Sequence, residues 1–239
     1  MPADALKATG IDCSYGPVQV LFGVDLRVAP GEMVGLCGPN GVGKSTLLRV
    51  LSGLHRPTAG RVELFGADIT GVSAVRRVRL GMATVVGQAA FGSLSVLDNL
   101  RLHGYAMPPA QAREAVDAAL AVFPRLAQRA HQPASTLSGG ERQMLVLAKA
   151  LIQRPHVLLV DELSLGLAPI VVGGLLEMLR RLNATGVSVL VVEQSVNVAL
   201  SLVDRICFME RGTIAAEHRP QDLADRPELV RSLMLGGHA

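Results

Sequence analysis

The segment Gly38-Pro39-Asn40-Gly41-Val42-Gly43-Lys44-Ser45-Thr46 constrains this chain more than any other. Two glycines five positions apart, then Lys and a hydroxyl residue, give the spacing of a phosphate cradle. Gly38, Gly41 and Gly43 admit backbone angles closed to residues with a side chain, so successive N–H groups can turn inward around an anion. The flanks suit the same purpose. Pro30-Gly31 is a turn signal, Met33 to Cys37 reads as a short buried strand, and Thr46-Leu47-Leu48-Arg49-Val50-Leu51 opens an apolar helix. That helix is expected to aim its positive end at the phosphates, with Lys44 on the β- and γ-phosphates and the Ser45 hydroxyl on Mg²⁺. The competing reading is a glycine-rich turn that only fits the pattern; strand and helix on either side argue against it.

Two further segments complete a set. Val157-Leu158-Leu159-Val160 has the length and content of a strand buried on both faces, entered after the helix-stopping Pro155 and closed by Asp161-Glu162. Acids at the end of such a strand stand at the carboxyl edge of a parallel sheet, where ligands bind in open α/β folds. Asp161 is then a Mg²⁺ holder, and Glu162 the base that orients and deprotonates a water. An acidic loop start is the bland alternative, and would be the better reading without the cradle. Leu137-Ser138-Gly139-Gly140-Glu141-Arg142-Gln143 opens a helix whose Met144, Leu147, Ala148, Leu151 and Ile152 share one apolar face. Ser138 is a good N-cap, and Gly139 and Gly140 leave the first N–H groups open to an anion. One cradle and one further anion device per chain imply that the second serves a nucleotide held by another chain.

The order of phosphate loop, Leu-Ser-Gly-Gly-Glu segment and apolar strand ending Asp-Glu resembles the ATP-binding subunits of ABC transporters, over nearly all of residues 6–235. Ser164-Leu165-Gly166-Leu167-Ala168-Pro169, Val192-Glu193-Gln194 and the ending Leu235-Gly236-Gly237 are similar to subunits that energise uptake of branched-chain amino acids and related small polar solutes. The resemblance implies an α/β fold: a P-loop NTPase (RecA-like) core, an N-terminal antiparallel β subdomain and a helical signature subdomain. It implies ATP and Mg²⁺ as cofactors, with the residues of 38–46 and Ser138, Gly139, Gly140 and Glu141 at the nucleotide. It also implies partners: membrane permease subunits, a second ATP-binding subunit (identical or related) and a substrate-binding protein. The chain is then peripheral on the inner face of the membrane.

Residue by residue, the resemblance implies that Tyr15 stacks on adenine, a contact worth about 1–3 kcal/mol for a base on an aromatic face; a tyrosine in an edge strand is the alternative. Gln88 falls where the family has a glutamine on Mg²⁺ or the attacking water, although Val86-Gly87-Gln88-Ala89-Ala90-Phe91 lacks the charged residues of the amino-acid subgroup, so Gly87 competes for that register. Phe91, Leu94, Val96 and Leu97 follow, in a segment the family uses as a groove for a permease helix; ordinary core is the alternative. Gln194 stands where most members carry a histidine on the γ-phosphate. It can donate a hydrogen bond but cannot become charged.

The 239 residues, 49% hydrophobic and 3% aromatic, suit aliphatic strands of a parallel sheet buried under helices. Three parts are expected in one unit: 1–90 with the β subdomain and phosphate loop, 91–145 helical, and 146–239 completing the core. Within the second, Pro108-Pro109 starts a helix with Ala115, Ala119, Leu120 and Phe123 on one face. Met209-Glu210-Arg211-Gly212-Thr213 reads as a hairpin turn. A net charge of +3 could suggest nucleic acid, but the basic residues are scattered apart from Arg76, Arg77 and Arg79, which read as a solvated helix face. Cys13, Cys37 and Cys207 lack metal-ligand spacing; Cys37 reads as a small core residue, and the usage fits a reducing cytosol. No signal peptide is expected, and the uncharged run 163–176, broken by Gly and Pro, is too short for ~30 Å of hydrocarbon. An ATPase driving a separate permease is the first reading. A soluble non-transport ABC ATPase is the second, although such proteins resemble tandem cassettes or carry long insertions. A GTPase or small-molecule kinase is the third and leaves 137–143 unexplained.

Overall fold

The computed structural model describes residues 3–85, 90–105, 107–162, 164 and 166–235. Two sheets carry the chain. The first is antiparallel, in the order β2-β1-β4-β5, from β1 (Leu6–Tyr15), β2 (Val18–Val28), β4 (Ala59–Leu64) and β5 (Ala67–Asp68). The second has six strands in the order β10-β9-β3-β8-β7-β6, from β3 (Met33–Cys37), β6 (Met82–Val85), β7 (Val157–Asp161), β8 (Ser188–Glu193), β9 (Arg205–Glu210) and β10 (Thr213–His218). Five of its strands run parallel, and β10 turns back along β9 through the expected hairpin at Arg211-Gly212. This is the α/β fold with a P-loop core, an antiparallel β layer and a helical part that the sequence implied.

The period of two in the strands divides the core. Val157 and Leu159 of β7 and Val34 and Leu36 of β3 face the antiparallel sheet and helix α1 (Lys44–Ser52). Leu158, Val160, Met33 and Cys37 face the other way, toward the helices. Both faces are covered, which is why these strands read as unbroken apolar runs. After β5 the chain forms α2 (Ala74–Arg79). The helical part then contains α3 (Val96–His103), α4 (Pro109–Val122), α5 (Pro124–Gln128) and α6 (Gly139–Ile152), and α7 (Pro169–Asn183) leads back to β8. Pro109 occupies the first turn of α4, and Ala115, Ala119 and Phe123 are buried as the spacing requires. Cys37 is core, as are Cys13 and Cys207.

Three expectations are corrected. Helix α6 does not bury one face: Gly140 and every residue from Gln143 to Ala150 are buried, while Leu151 is only half-buried. The helix lies between α3, α4 and α5 on one side and β6 and α7 on the other, so periodicity understates its burial. Val96 is not a groove residue but fully buried in the helical core, at the first position of α3. The third concerns the arginine cluster. Arg76 and Arg79 are solvated, but Arg77 is 1% exposed. Its guanidinium donates to the carbonyls of Val72 at 2.9 Å, Val50 at 2.9 Å, Leu51 at 2.6 Å, Ile69 at 2.7 Å and Thr70 at 3.2 Å. It thus ties the C-terminal end of α1, where orphan carbonyls favour a cation, to the segment that follows β5. Burial lowers its pKa to about 10, leaving it charged at neutral pH.

Candidate active site

Parallel pairing sets β3, β8 and β7 side by side, with Cys37 opposite Glu193 and Asp161 opposite Val192. The segments that leave these three strands are therefore neighbours at one carboxyl edge: the phosphate loop, Glu193-Gln194 and Asp161-Glu162.

The loop keeps its shape through positive backbone angles that its glycines tolerate. A Cβ on Gly38 (φ 152°) would sit 2.3 Å from the Met209 carbonyl oxygen, and one on Gly43 (φ 112°) would sit 2.8 Å from a Leu21 methyl. Helix α1 starts at Lys44 with neither a side-chain cap nor an acid in its first turn, so its first N–H groups stay open toward the loop. Lys44 is 5% exposed and donates to the carbonyls of Gly38 at 2.7 Å and Pro39 at 2.8 Å, an arrangement that wraps the loop around its ammonium. Burial pulls its pKa down, against the charges of the Glu162 and Asp161 carboxylates. Ser45 and Thr46 lie in the same first turn, Ser45 exposed. Tyr15, at the end of β1, is 39% exposed and stands beside α1, its ring 4.6 Å from that of His55.

Asp161 ends β7, and its Oδ1 is buried without a hydrogen-bond partner. Burial and then the Glu162 charge raise its pKa, with Lys44 and Arg49 opposing. A buried carboxylate oxygen left unpaired is an expensive feature, and a hard cation is the partner that such an oxygen fits. Glu162 follows in the left-handed region at φ 49°. Its N–H donates to Val192 O at 2.9 Å, and its Oε1 accepts from Gln194 Nε2 at 2.7 Å. The structure thus brings together Lys44, Asp161, Glu162 and Gln194, four residues 150 positions apart in sequence at their extremes.

Ser138 and Glu141 are held elsewhere. Ser138 Oγ accepts from the Glu141 N–H at 3.3 Å, the Glu141 carboxylate accepts from the Ser138 N–H at 2.9 Å, and Glu141 pairs with Arg129 at 3.0 Å. This capping box fixes the start of α6. Gly140 is buried, and a Cβ there would lie 2.2 Å from a Val171 methyl, so this glycine lets α6 approach α7. Gln88 and Gly87 lie outside the described residues. Just beyond them, Asn99 is fully buried and clamps Phe91, accepting from its N–H at 2.9 Å and donating to its carbonyl at 3.0 Å. Phe91 itself is 57% exposed, with Lys149 Nζ 5.8 Å from its ring centroid; Leu94 and Leu97 are half-buried.

Sequence reasoning assigned no role to Glu193. It is 1% exposed and accepts from the Ser164 N–H at 3.0 Å and the Ser164 hydroxyl at 2.8 Å. Burial raises its pKa, and the bonds from Ser164 oppose that rise. The signal was present: an acid closing the apolar run 189–192 cannot point to solvent if that strand is central.

Residues 21–164 match the family described as ABC transporter. The chain belongs to the ABC transporter ATP-binding family. It is 40% identical over 224 residues to the high-affinity branched-chain amino acid transport ATP-binding protein BraG of Pseudomonas aeruginosa, covering 93% of this chain and 96% of that protein. It is 39% identical over 229 residues to the Nod factor export ATP-binding protein I of Paraburkholderia xenovorans, covering 93% of this chain and 73% of that protein. A solved nucleotide-free ATP-binding cassette from an ABC transporter superposes with a TM-score of 0.86 at 26% identity, over 95% of this chain and 97% of that one. As a member of this family the chain is an ABC-type ATPase that binds ATP. Among the described residues, no helix is long and apolar enough to cross a membrane.

Proposed function

We propose that this chain is the ATP-hydrolysing subunit of a membrane importer for branched-chain amino acids or similar small polar solutes. The observation that carries the hydrolytic part is the convergence of Lys44, Asp161 and Glu162 at one sheet edge, with Gln194 bonded to the Glu162 carboxylate. BraG supports the importer part, because the likeness to it runs almost end to end, whereas the exporter protein has about a quarter of its length outside the match.

In this reading Lys44 exchanges its two loop carbonyls for β- and γ-phosphate oxygens and neutralises charge as the terminal bond breaks. Tyr15 offers a face to the adenine. Glu162 takes a proton from the attacking water; a bond forms from that oxygen to the γ-phosphorus, and the bond to the β-phosphate oxygen breaks. Gln194 holds the Glu162 carboxylate in line. The unpaired Oδ1 of Asp161 and the Ser45 hydroxyl suit Mg²⁺, with Gln88 as a further ligand. When bound, Mg²⁺ supplies charge neutralisation at the phosphates.

The assembly follows from one cradle and one capped α6 start per chain: a second ATP-binding chain is needed, and Ser138, Gly139 and Gly140 face its nucleotide. Permease subunits dock near Phe91, where a groove between α3 and α4, lined by Leu97, Arg101, Tyr105, Met107 and Val116, extends the exposed surface. A substrate-binding protein delivers cargo, nucleic acid has no part, and the chain sits on the cytoplasmic face of the membrane through its permease. The three parts, 1–90, 91–145 and 146–239, act as one unit, α6 running unbroken across the last boundary. The experiment is ATP binding beside phosphate release. Lys44→Ala weakens productive binding, whereas Glu162→Gln keeps binding and lowers turnover by about 10²–10⁴-fold, the contribution of a positioned base. Unchanged turnover in Glu162→Gln removes that residue from the base role.

A further inference from the structure

The last ladder pair between β7 and β8 is Asp161 opposite Val192, yet the stitching between the two chains continues beyond it. Glu162 N–H donates to Val192 O at 2.9 Å, Gln194 Nε2 donates to Glu162 Oε1 at 2.7 Å, and Ser164 donates twice to Glu193, at 3.0 Å from its N–H and 2.8 Å from its hydroxyl. Three successive residues, 192 to 194, hold two residues, 162 and 164, of the neighbouring exit. Glu162 itself stands in the left-handed region at φ 49°, a conformation that a residue with a side chain keeps only when its surroundings over-determine it. Gln194 fixes the carboxylate end, and the Val192 carbonyl fixes the near side of the backbone. Without a third point the chain could still swing about Glu162 on its far side. Glu193 supplies that point with both carboxylate oxygens, each in a charge-assisted bond to Ser164.

We propose that Glu193 is a positioning residue for hydrolysis: by anchoring Ser164 from within the core, it keeps Glu162 in its left-handed setting and its carboxylate aimed into the site. The proposal rests on Glu162 being the base. Glu193 does not itself reach the phosphate side, since both its oxygens are turned to Ser164 and it is 1% exposed. An acid was not needed to make a strand end soluble. It was needed to accept two bonds from one residue at a depth where a water cannot substitute.

The conservative variant separates this role from a merely structural one. In Glu193→Gln the amide oxygen still accepts from the Ser164 N–H, and the amide nitrogen can donate to the Ser164 hydroxyl. In Glu193→Leu both bonds go at similar volume. For the full chain with Mg²⁺-ATP, Glu193→Leu lowers kcat by about tenfold or more and leaves KM within about twofold, the pattern of a displaced reacting group rather than lost binding. Glu193→Gln stays within about threefold of the unmodified chain, and Ser164→Ala falls between the two. In a Glu162→Gln background, Glu193→Leu causes no further loss, because groups that act as a unit are not additive. If Glu193→Leu does not fold, Ser164→Ala alone must still lower kcat at constant KM. Unchanged kcat in the folded Leu and Ala variants overturns the proposal, as does a rise in KM alone or a Gln variant as impaired as Leu. A Glu162→Gln chain that hydrolyses normally instead removes the base, and with it the proposal; a dead Glu162→Gln beside a normal Glu193→Leu removes the proposal alone.

Discussion

Replacing Arg77 with leucine removes a buried cation from a ring of five carbonyls and puts nothing polar in its place. The carbonyls of Val50 and Ile69 also accept from the N–H groups of Gly53 and Val72, so the loss falls mainly on Leu51, Thr70 and Val72. Three acceptors deprived of a donor cost about 1–3 kcal/mol each, and relief from desolvating a guanidinium offsets part of that. A net loss of about 3–5 kcal/mol results, in line with the removal of one partner from a buried polar pairing. For a chain of this length that lowers Tm by about 6–20 °C. Arg77→Lys keeps the charge but has three donors without the planar fork, and should fall midway. Thermal and urea unfolding measure the series, with Arg76→Leu and Arg79→Leu as exposed controls expected within about 0.5 kcal/mol of the parent. An Arg77→Leu protein within about 1 kcal/mol of the parent would refute the view that this side chain secures the end of the helix that carries Lys44.

The Glu32 carboxylate pairs with Arg205 at 2.9 Å. Burial pushes its pKa up, but the hydrogen bonds from Arg205 and the Ala29 N–H and the charges of Arg205 and Arg27 outweigh burial and hold it below its ordinary value. A depressed carboxyl stabilises the fold above the unfolded pKa and loses that contribution as pH falls through the folded value. Glu32→Gln therefore destabilises by about 1–3 kcal/mol at pH 7, and the gap to the parent closes as pH falls below the ordinary carboxylate range, in urea titrations at successive pH values. Gln194→His gives turnover a pH-dependent limb between about pH 6 and 7 that the parent lacks; superimposable pH–rate profiles would show that position 194 does not act on the reacting groups. Phe91→Ala, at a side chain 57% exposed, leaves basal hydrolysis intact and weakens recruitment to membranes containing the permease, read by flotation. Equal recruitment counts against that docking surface.

What could be read before folding depended on how local the cause was. The phosphate loop, strands β3 and β7 and the turn at Arg211-Gly212 declare themselves within ten residues, because glycine angles, apolar runs and turn chemistry are short-range properties. Arg77 escaped because its acceptors come from residues 50, 51, 69, 70 and 72, and a run of arginines on a short helix has no way to announce them. Glu193 escaped for a similar reason, its partner Ser164 lying 29 residues back in sequence. The all-round burial of α6 is set by what lies on both sides of it, whereas a 3.6-residue period only reports that one side is apolar. Val96 sat among residues that do reach the surface, and its place at the start of α3, on the face it shares with Asn99 and Leu100, sends it inward.

The three cysteines give the molecule a built-in clock for its own opening. All are buried, and burial pushes the thiols of Cys37 and Cys207 up to about 12 and raises that of Cys13. A thiol-specific reagent needs a thiolate in solvent, so it modifies only molecules that have come apart at that place. Cys13 samples the antiparallel sheet through β1, while Cys37 and Cys207 lie on the paired strands β3 and β9. Equal modification rates at the three positions mean that the two sheets separate in one event. A faster Cys13 means that the antiparallel layer, which carries Tyr15, detaches first, while the sheet that carries the carboxylates holds.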